Sequence, residues 1–108
     1  MIQTYLLAWN PRRWNWEPNE LSKKSKAVQQ GERVVERWSC GRNKKIKRGD
    51  RVFLIRLGQE PRGIFGSGFV SKSVSEGPHW DDELANNGET SLFIQFVYDS
   101  LYDPHLGP

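Results

Sequence analysis

The sequence predicts an α+β domain, built as a small, strongly curved sheet or open β-barrel of five to six strands with short helices at its ends. Its 108 residues make one domain of ordinary size, which can bury a modest core without disulfides or metals. Short β-rich segments alternate with turn residues, and glycines that mark bends lie inside one of them. Five Trp, five Phe and three Tyr supply the large side chains of a core.

The N-terminal half is predicted to hold two strands and a helix. Residues 2–8 are a short apolar run that an Asn-Pro pair stops, which indicates a strand followed by a turn. A helix is expected to begin at Asn19, a residue type that caps helices, and to end at Gly31. Residues 32–39 are then expected to form the second strand.

The C-terminal half is predicted to hold three further strands. Residues 51–57 are the clearest buried strand, and residues 64–73 return as its hairpin partner. Residues 74–90 are expected to form a long polar loop with Trp80 at its tip and a short helical turn, and such loops are often functional. Residues 91–98 are the last strong strand.

One domain is expected over residues 1–102, and residues 103–108 have the composition of a linker or tail. No basic segment precedes the apolar N-terminal residues, and no apolar run approaches the roughly eighteen residues of a membrane span. A cytoplasmic location and no membrane contact are therefore expected. Cys40 is the single cysteine and the two histidines are His79 and His105, so we expect no disulfide, no metal site and no cofactor.

Charge is divided unequally between the two halves. Residues 1–54 carry thirteen Lys/Arg against five Asp/Glu, which is +8, and residues 55–108 carry three against eight, which is −5. Residues 42–48 contain five cations. This run favours phosphate contacts and a solvated turn about equally. The predicted phosphate-binding residues are Arg12, Arg13, Arg42, Lys44, Lys45, Lys47 and Arg48.

The sequence offers poor candidates for catalysis. Cys40 or Ser39 can be paired with His79, but no Gly-x-Ser-x-Gly motif surrounds the serine and nothing in the sequence orients the histidine. The acidic residues 81–83 favour a solvated loop or a helix start over a cation site, because consecutive side chains point in different directions. We therefore expect no enzymatic activity from this chain.

The tryptophans favour base stacking, because four of the five lie in the basic half of the chain. A base stacked on an aromatic ring gains ~1–3 kcal/mol, and the alternative is a Trp-rich core. Trp16 is predicted to lie in the core. Trp38 and Trp80 are predicted to line a pocket, because their sequence neighbours are small or polar.

Five segments follow one another in an order that resembles the EVE domains, relatives of the YTH readers within the PUA-like superfamily. The likeness spans nearly the whole chain and is strongest to the N-terminal EVE domain of modification-dependent HNH restriction endonucleases. It implies a PUA-like barrel that reads modified cytosine in double-stranded DNA, with cleavage left to a C-terminal HNH nuclease domain, since this chain has no HNH motif. The segments are residues 8–11, 37–41, 46–54, 63–69 and 77–80.

The resemblance also implies roles for individual residues. Trp38 and Trp80 form opposite walls of an aromatic cage around a flipped 5-methylcytosine or 5-hydroxymethylcytosine. Asn10 reads the base edge, and Ser39 contributes hydroxyl or backbone contacts. The residues that line or support this cage are Trp9 and Trp14.

Two alternatives stay open at this point. Because PUA-like and YTH relatives bind RNA, and charge does not separate the nucleic acids, the chain is alternatively an RNA-binding domain that reads a modified or unpaired base. A protein-interaction domain with its tryptophans in the core is the second alternative, and burial of both Trp38 and Trp80 would favour it.

Overall fold

The computed structural model describes residues 2–58, 60 and 62–104. Within this part, five strands and two helices follow one another along the chain. They are β1 (Thr4–Trp9), α1 (Pro18–Gln29), β2 (Val35–Gly41), β3 (Arg51–Arg56), β4 (Gly63–Pro78), α2 (Asp82–Asn86) and β5 (Thr90–Leu101).

All five strands belong to one mixed sheet with the order β1-β3-β4-β5-β2. β1 runs parallel to β3, while the other three pairings are antiparallel. The predicted hairpin of β3 and β4 is confirmed, and so is an α+β domain of five strands with short helices. The edge strands β1 and β2 are not neighbours in this order, so the sheet is open.

β4 is longer than predicted and takes up much of the segment expected to be a loop. It continues to Pro78 and pairs with β5 through three register shifts. Residues 71–76 are mostly exposed Ser, Lys and Glu, so they lack an apolar pattern, and their pairing with β5 decides their conformation. The short helical turn expected in this region is confirmed as α2, which Asp81 caps through its side chain.

α1 begins one residue earlier than predicted, and its N-cap is Glu17 instead of Asn19. Pro18 occupies the first turn, where no backbone N–H is required, and the Glu17 carboxylate accepts a hydrogen bond from the Asn19 backbone N–H. Gly31 follows the helix end with φ +82°, as expected of a helix-ending glycine.

The core lies on one face of the sheet, which we call the inner face. Val52, Leu54 and Phe96 are fully shielded there, and α1 covers β5 with its fully buried Leu21. Gly68 is required by this packing, because a Cβ at that position would lie 2.3 Å from the carbonyl oxygen of Val97. In the described part of the chain, no helix has both the length and the apolar character to cross a bilayer.

Candidate nucleic-acid interface

Residues 42–48, in the connection between β2 and β3, present five cations to solvent, and we call this segment the cationic loop. Its single apolar residue, Ile46, is only 3% exposed and packs into the core, which fixes the loop against the domain. The cationic side chains are those of Arg42, Lys44, Lys45, Lys47 and Arg48.

Hydrogen bonds order the backbone of the cationic loop. The buried carboxylate of Asp50 accepts from the backbone N–H groups of Lys47 at 2.8 Å and Gln3 at 3.1 Å. These two bonds hold the pKa of Asp50 below its ordinary value and outweigh the opposing effect of burial. The side-chain oxygen of Asn43 accepts from the N–H of Lys45 at 2.9 Å. The cations therefore project from an ordered backbone.

Acidic partners are lacking for these five cations among residues 2–58, 60 and 62–104. Lys24, Arg51 and Arg62, which form ion pairs with carboxylates in that part, all lie outside the loop. Since no carboxylate of the described residues forms an ion pair with the cationic loop, its charge is available to a polyanion such as a phosphate backbone.

A cleft of about 400 Å³ adjoins the cationic loop, and we call it the end cleft. Two cations and two carboxylates contribute to its walls, together with buried Ser91, whose hydroxyl lies 2.8 Å from the Ser39 hydroxyl. Three predicted site residues, Ser39, Arg42 and Lys44, are thereby brought together. The lining consists of Gly41, Arg42, Lys44, Glu76 and residues 88–92.

Four tryptophans pack into one cluster, which confirms the core position predicted for Trp16. The ring centroid of Trp16 lies 5.5 Å from that of Trp9, 5.3 Å from that of Trp14 and 5.6 Å from that of Trp38. Trp38 is only 8% exposed and lies within this cluster, and its role as a wall of a base pocket stays a prediction. Successive residues of a strand point to opposite faces, so the small neighbours of Trp38 do not describe what surrounds it.

Trp14 is the solvent-facing member of this cluster. It is 41% exposed, and its ring meets that of Trp38 edge to face, at a centroid distance of 5.5 Å and an interplanar angle of 87°. The indole N–H of buried Trp9 donates to the backbone oxygen of Trp14 at 2.9 Å, which gives Trp9 a supporting role. The predicted phosphate ligands Arg12 and Arg13 are exposed next to Trp14 in the chain.

Trp80 is 44% exposed on the connection between β4 and α2, apart from the tryptophan cluster. Its ring stacks at a tilt on His79 at 5.1 Å, and the ring contacts of the described residues do not join it to Trp38. The backbone N–H of His79 donates to the oxygen of Glu89, which lines the end cleft. This bond ties the segment that carries Trp80 to one residue of the end cleft, although Trp80 does not line the cleft itself.

Asn10 performs a structural task at the end of β1. Its side-chain oxygen accepts from the backbone N–H of Arg12 at 3.0 Å. Gly58 approaches this side chain so closely that a Cβ there would lie 2.5 Å from the same oxygen. The base-reading role of Asn10 stays a prediction.

The sequence does not reveal a polar network beside the tryptophan cluster. The carboxylate of Glu36 accepts hydrogen bonds from the Lys24 ammonium at 2.9 Å and the Tyr98 hydroxyl at 3.0 Å, and Lys24 lies 5.8 Å from the Trp16 ring. Burial lowers the pKa of Lys24, but the hydrogen bond and charge of Glu36 outweigh it, so the net pKa is raised. These partners are distant in sequence, and no local pattern indicates them.

Comparison with known proteins reveals a shared fold. A structural-genomics target from Pseudomonas syringae is 16% identical, with a TM-score of 0.61 over 92% of this chain and 69% of that chain. A hypothetical protein from Leishmania major is also 16% identical, with a TM-score of 0.52 over 98% of this chain and 73% of that chain. No family model and no curated protein matches the sequence. The strand order and the two helices define the class of this protein, which is a small α+β fold with an open mixed sheet.

Proposed function

We propose that this chain is a DNA-binding module that recognises a flipped, modified cytosine, and that it supplies specificity to a modification-dependent restriction system. The observation that carries the proposal is the cationic loop, whose five cations project from an ordered backbone without acidic partners in the described part of the chain. Phosphate contacts of this kind hold a duplex in register without reading its sequence.

The exposed faces of Trp14 and Trp80 are the stacking surfaces in this proposal. A flipped base loses a few kcal/mol of stacking in the duplex, which two aromatic walls and polar contacts offset. Trp38 becomes one wall when Trp14, which now packs against it, turns aside. The hydroxyls of Ser39 and Ser91 supply polar contacts at the end cleft.

The open sheet is, in this proposal, the wall of a PUA-like barrel. β1 and β2 are the two edge strands of the sheet. The ring of Trp16 contacts Trp9 at the end of β1 and Trp38 on β2, which supports this view. Side-chain packing thus spans the gap between strands that share no backbone ladder. The lone Cys40 suits a reducing cytoplasm, where we place the protein, and cleavage is left to a C-terminal HNH nuclease domain.

A titration with three duplexes tests the proposal. They are identical except for one position, which is cytosine, 5-methylcytosine or 5-hydroxymethylcytosine, and tryptophan fluorescence is followed at low and at moderate salt. We expect tighter binding of a modified duplex and quenching by the stacked base. Equal binding to all three would reject base reading, and tighter binding of single-stranded RNA of matched sequence would favour RNA recognition.

A further inference from the structure

The sheet face turned away from the core, which we call the outer face, carries exposed apolar and aromatic side chains in register. Val35, Val97, Phe69 and Arg51 are successive cross-strand neighbours on β2, β5, β4 and β3. Phe69 is 42% exposed and Val35 41% exposed. An open aromatic ring in the middle of a sheet is a platform on which a planar group can stack.

Cations accompany these rings. The guanidinium of Arg51 lies 4.5 Å from the Phe69 ring centroid and 5.0 Å from that of Phe53. The guanidinium of Arg37 lies only 3.6 Å from the Phe93 centroid, and the absence of a side chain at Gly77 leaves it room. Arg37 is an exposed residue, so its guanidinium is within reach of a base from solvent.

A second cross-strand row lies two residues along β5 from Val97, the neighbour of Phe69, and holds Arg37 and Lys72 on either side of Gln95. On β4 a register shift places Lys72 three residues from Phe69. Two residues along a strand correspond to roughly 7 Å. Within the residues that the structure describes, neither cation of this row forms an ion pair. The outer face therefore places unneutralised positive charge one row from a stacking ring.

We infer that the outer face binds an unpaired nucleic-acid strand, with bases stacked on Phe69 and Arg37 and phosphates held by Lys72 and Arg37. Charge favours this occupant over an apolar protein surface. β2 also leads from Arg37 into the cationic loop, so a single nucleic-acid strand can continue from the loop onto the outer face of the sheet. The inference rests on the proposed function, and it gives the module a second surface, for the nucleotides that flank the recognised base.

The test compares a blunt duplex with the same duplex carrying a short unpaired extension, using the whole chain. We expect the extension to tighten binding about tenfold. Phe69→Ala and Arg37→Gln should each remove most of that gain without changing affinity for the blunt duplex. Leu57→Ala, which truncates an apolar side chain of similar exposure, and Arg33→Gln are the matched controls and should retain the gain.

The outcomes separate the two proposals. Binding of the blunt duplex with no gain from the extension overturns the outer-face inference and leaves the proposed function standing. Failure to bind any nucleic acid overturns both. If Phe69→Ala instead changes self-association in sedimentation, the outer face is a protein contact and the inference is wrong. Arg37→Gln, at an exposed position, keeps the test decisive if Phe69→Ala proves unstable.

Discussion

Asp50 shows how one buried carboxylate orders a functional segment. It accepts two backbone hydrogen bonds at the base of the cationic loop, one from the loop itself and one from the residue that precedes β1. Asp50→Asn removes the charge and replaces one acceptor by a donor. We expect the free energy of unfolding to fall by about 1.5–3 kcal/mol, which urea denaturation measures.

The same carboxylate predicts a dependence of stability on pH. The pKa of Asp50 is lowered in the fold, so its contribution is complete above the unfolded value of about 3.9 and is lost as pH falls through the folded pKa. Asp99, whose hydrogen bonds from Ser67 and Arg51 outweigh burial, has a lowered pKa and acts in the same direction. Stability should decline below about pH 4, and less steeply in Asp50→Asn; equal slopes would contradict this assignment.

Two exposed rings carry the base-stacking proposal. Trp14→Ala and Trp80→Ala should each weaken binding of the modified duplex by ~1–3 kcal/mol, because each removes a stacking surface. Tyr102→Ala is the control, since its ring is equally exposed at 42% and has no part in the proposal. Calorimetric titration gives the affinities, and unchanged selectivity in both Trp variants would exclude the aromatic walls.

At the scale of single residues, the sequence predicts the burial of a side chain better than it predicts what that side chain does. Trp16 is buried as predicted, whereas Trp80 is exposed and its place in a pocket stays a prediction. Trp38 is buried although its neighbours are small, since the face it occupies depends on strand register. Asn10 is predicted to read the base edge, and in the structure its side-chain oxygen accepts a hydrogen bond from the Arg12 backbone within a turn.

Among the elements, the cationic loop makes the clearest quantitative prediction. Replacing Lys44, Lys45 and Lys47 together by Gln should reduce the salt dependence of duplex binding, by about 0.9 in the logarithmic slope for each phosphate that is no longer neutralised. Lys26→Gln, at an exposed position of α1, is the control and should leave the slope unchanged. An unaltered slope in the triple variant would show that the phosphates lie elsewhere.

Element boundaries follow from sequence where apolar pattern and turn chemistry agree. The sequence predicts β3 to within one residue, because its inward-facing apolar residues alternate along the strand. It does not predict the far half of β4, because the residues there are polar and only their ladder with β5 defines them. The end cleft escapes prediction for the same reason, since Glu76 lines it from that half of β4.

At the scale of the whole molecule, the buried ring of Trp16 contacts Trp9 on one edge strand and Trp38 on the other. Trp16→Ala should lower the free energy of unfolding by ~3–5 kcal/mol, as expected for a large buried aromatic residue, and thermal or chemical denaturation measures the loss. Trp80→Ala is the matched control and should change stability little, because Trp80 is 44% exposed against 4% for Trp16. Equal losses in both variants would contradict the bridging role.

The class of the fold and the number of strands are predictable from 108 residues, whereas the strand order is not. β1 pairs with β3 across α1 and β2, and β2 pairs with β5 across β3, β4 and α2. Local sequence patterns do not indicate which distant strands pair with one another. The two solved structures share this fold at 16% identity, so sequences that differ at most positions can adopt it.

The packing of four indoles, with neighbouring rings 5.3–5.6 Å apart, has an optical consequence. Rings this close exchange electronic excitation, so light absorbed by buried Trp9, Trp16 or Trp38 can be emitted from Trp14. A quencher that contacts Trp14 alone should therefore reduce the fluorescence of the entire cluster. Trp80 lies outside these ring contacts and should emit separately, so the spectrum itself can report which ring a bound base has reached.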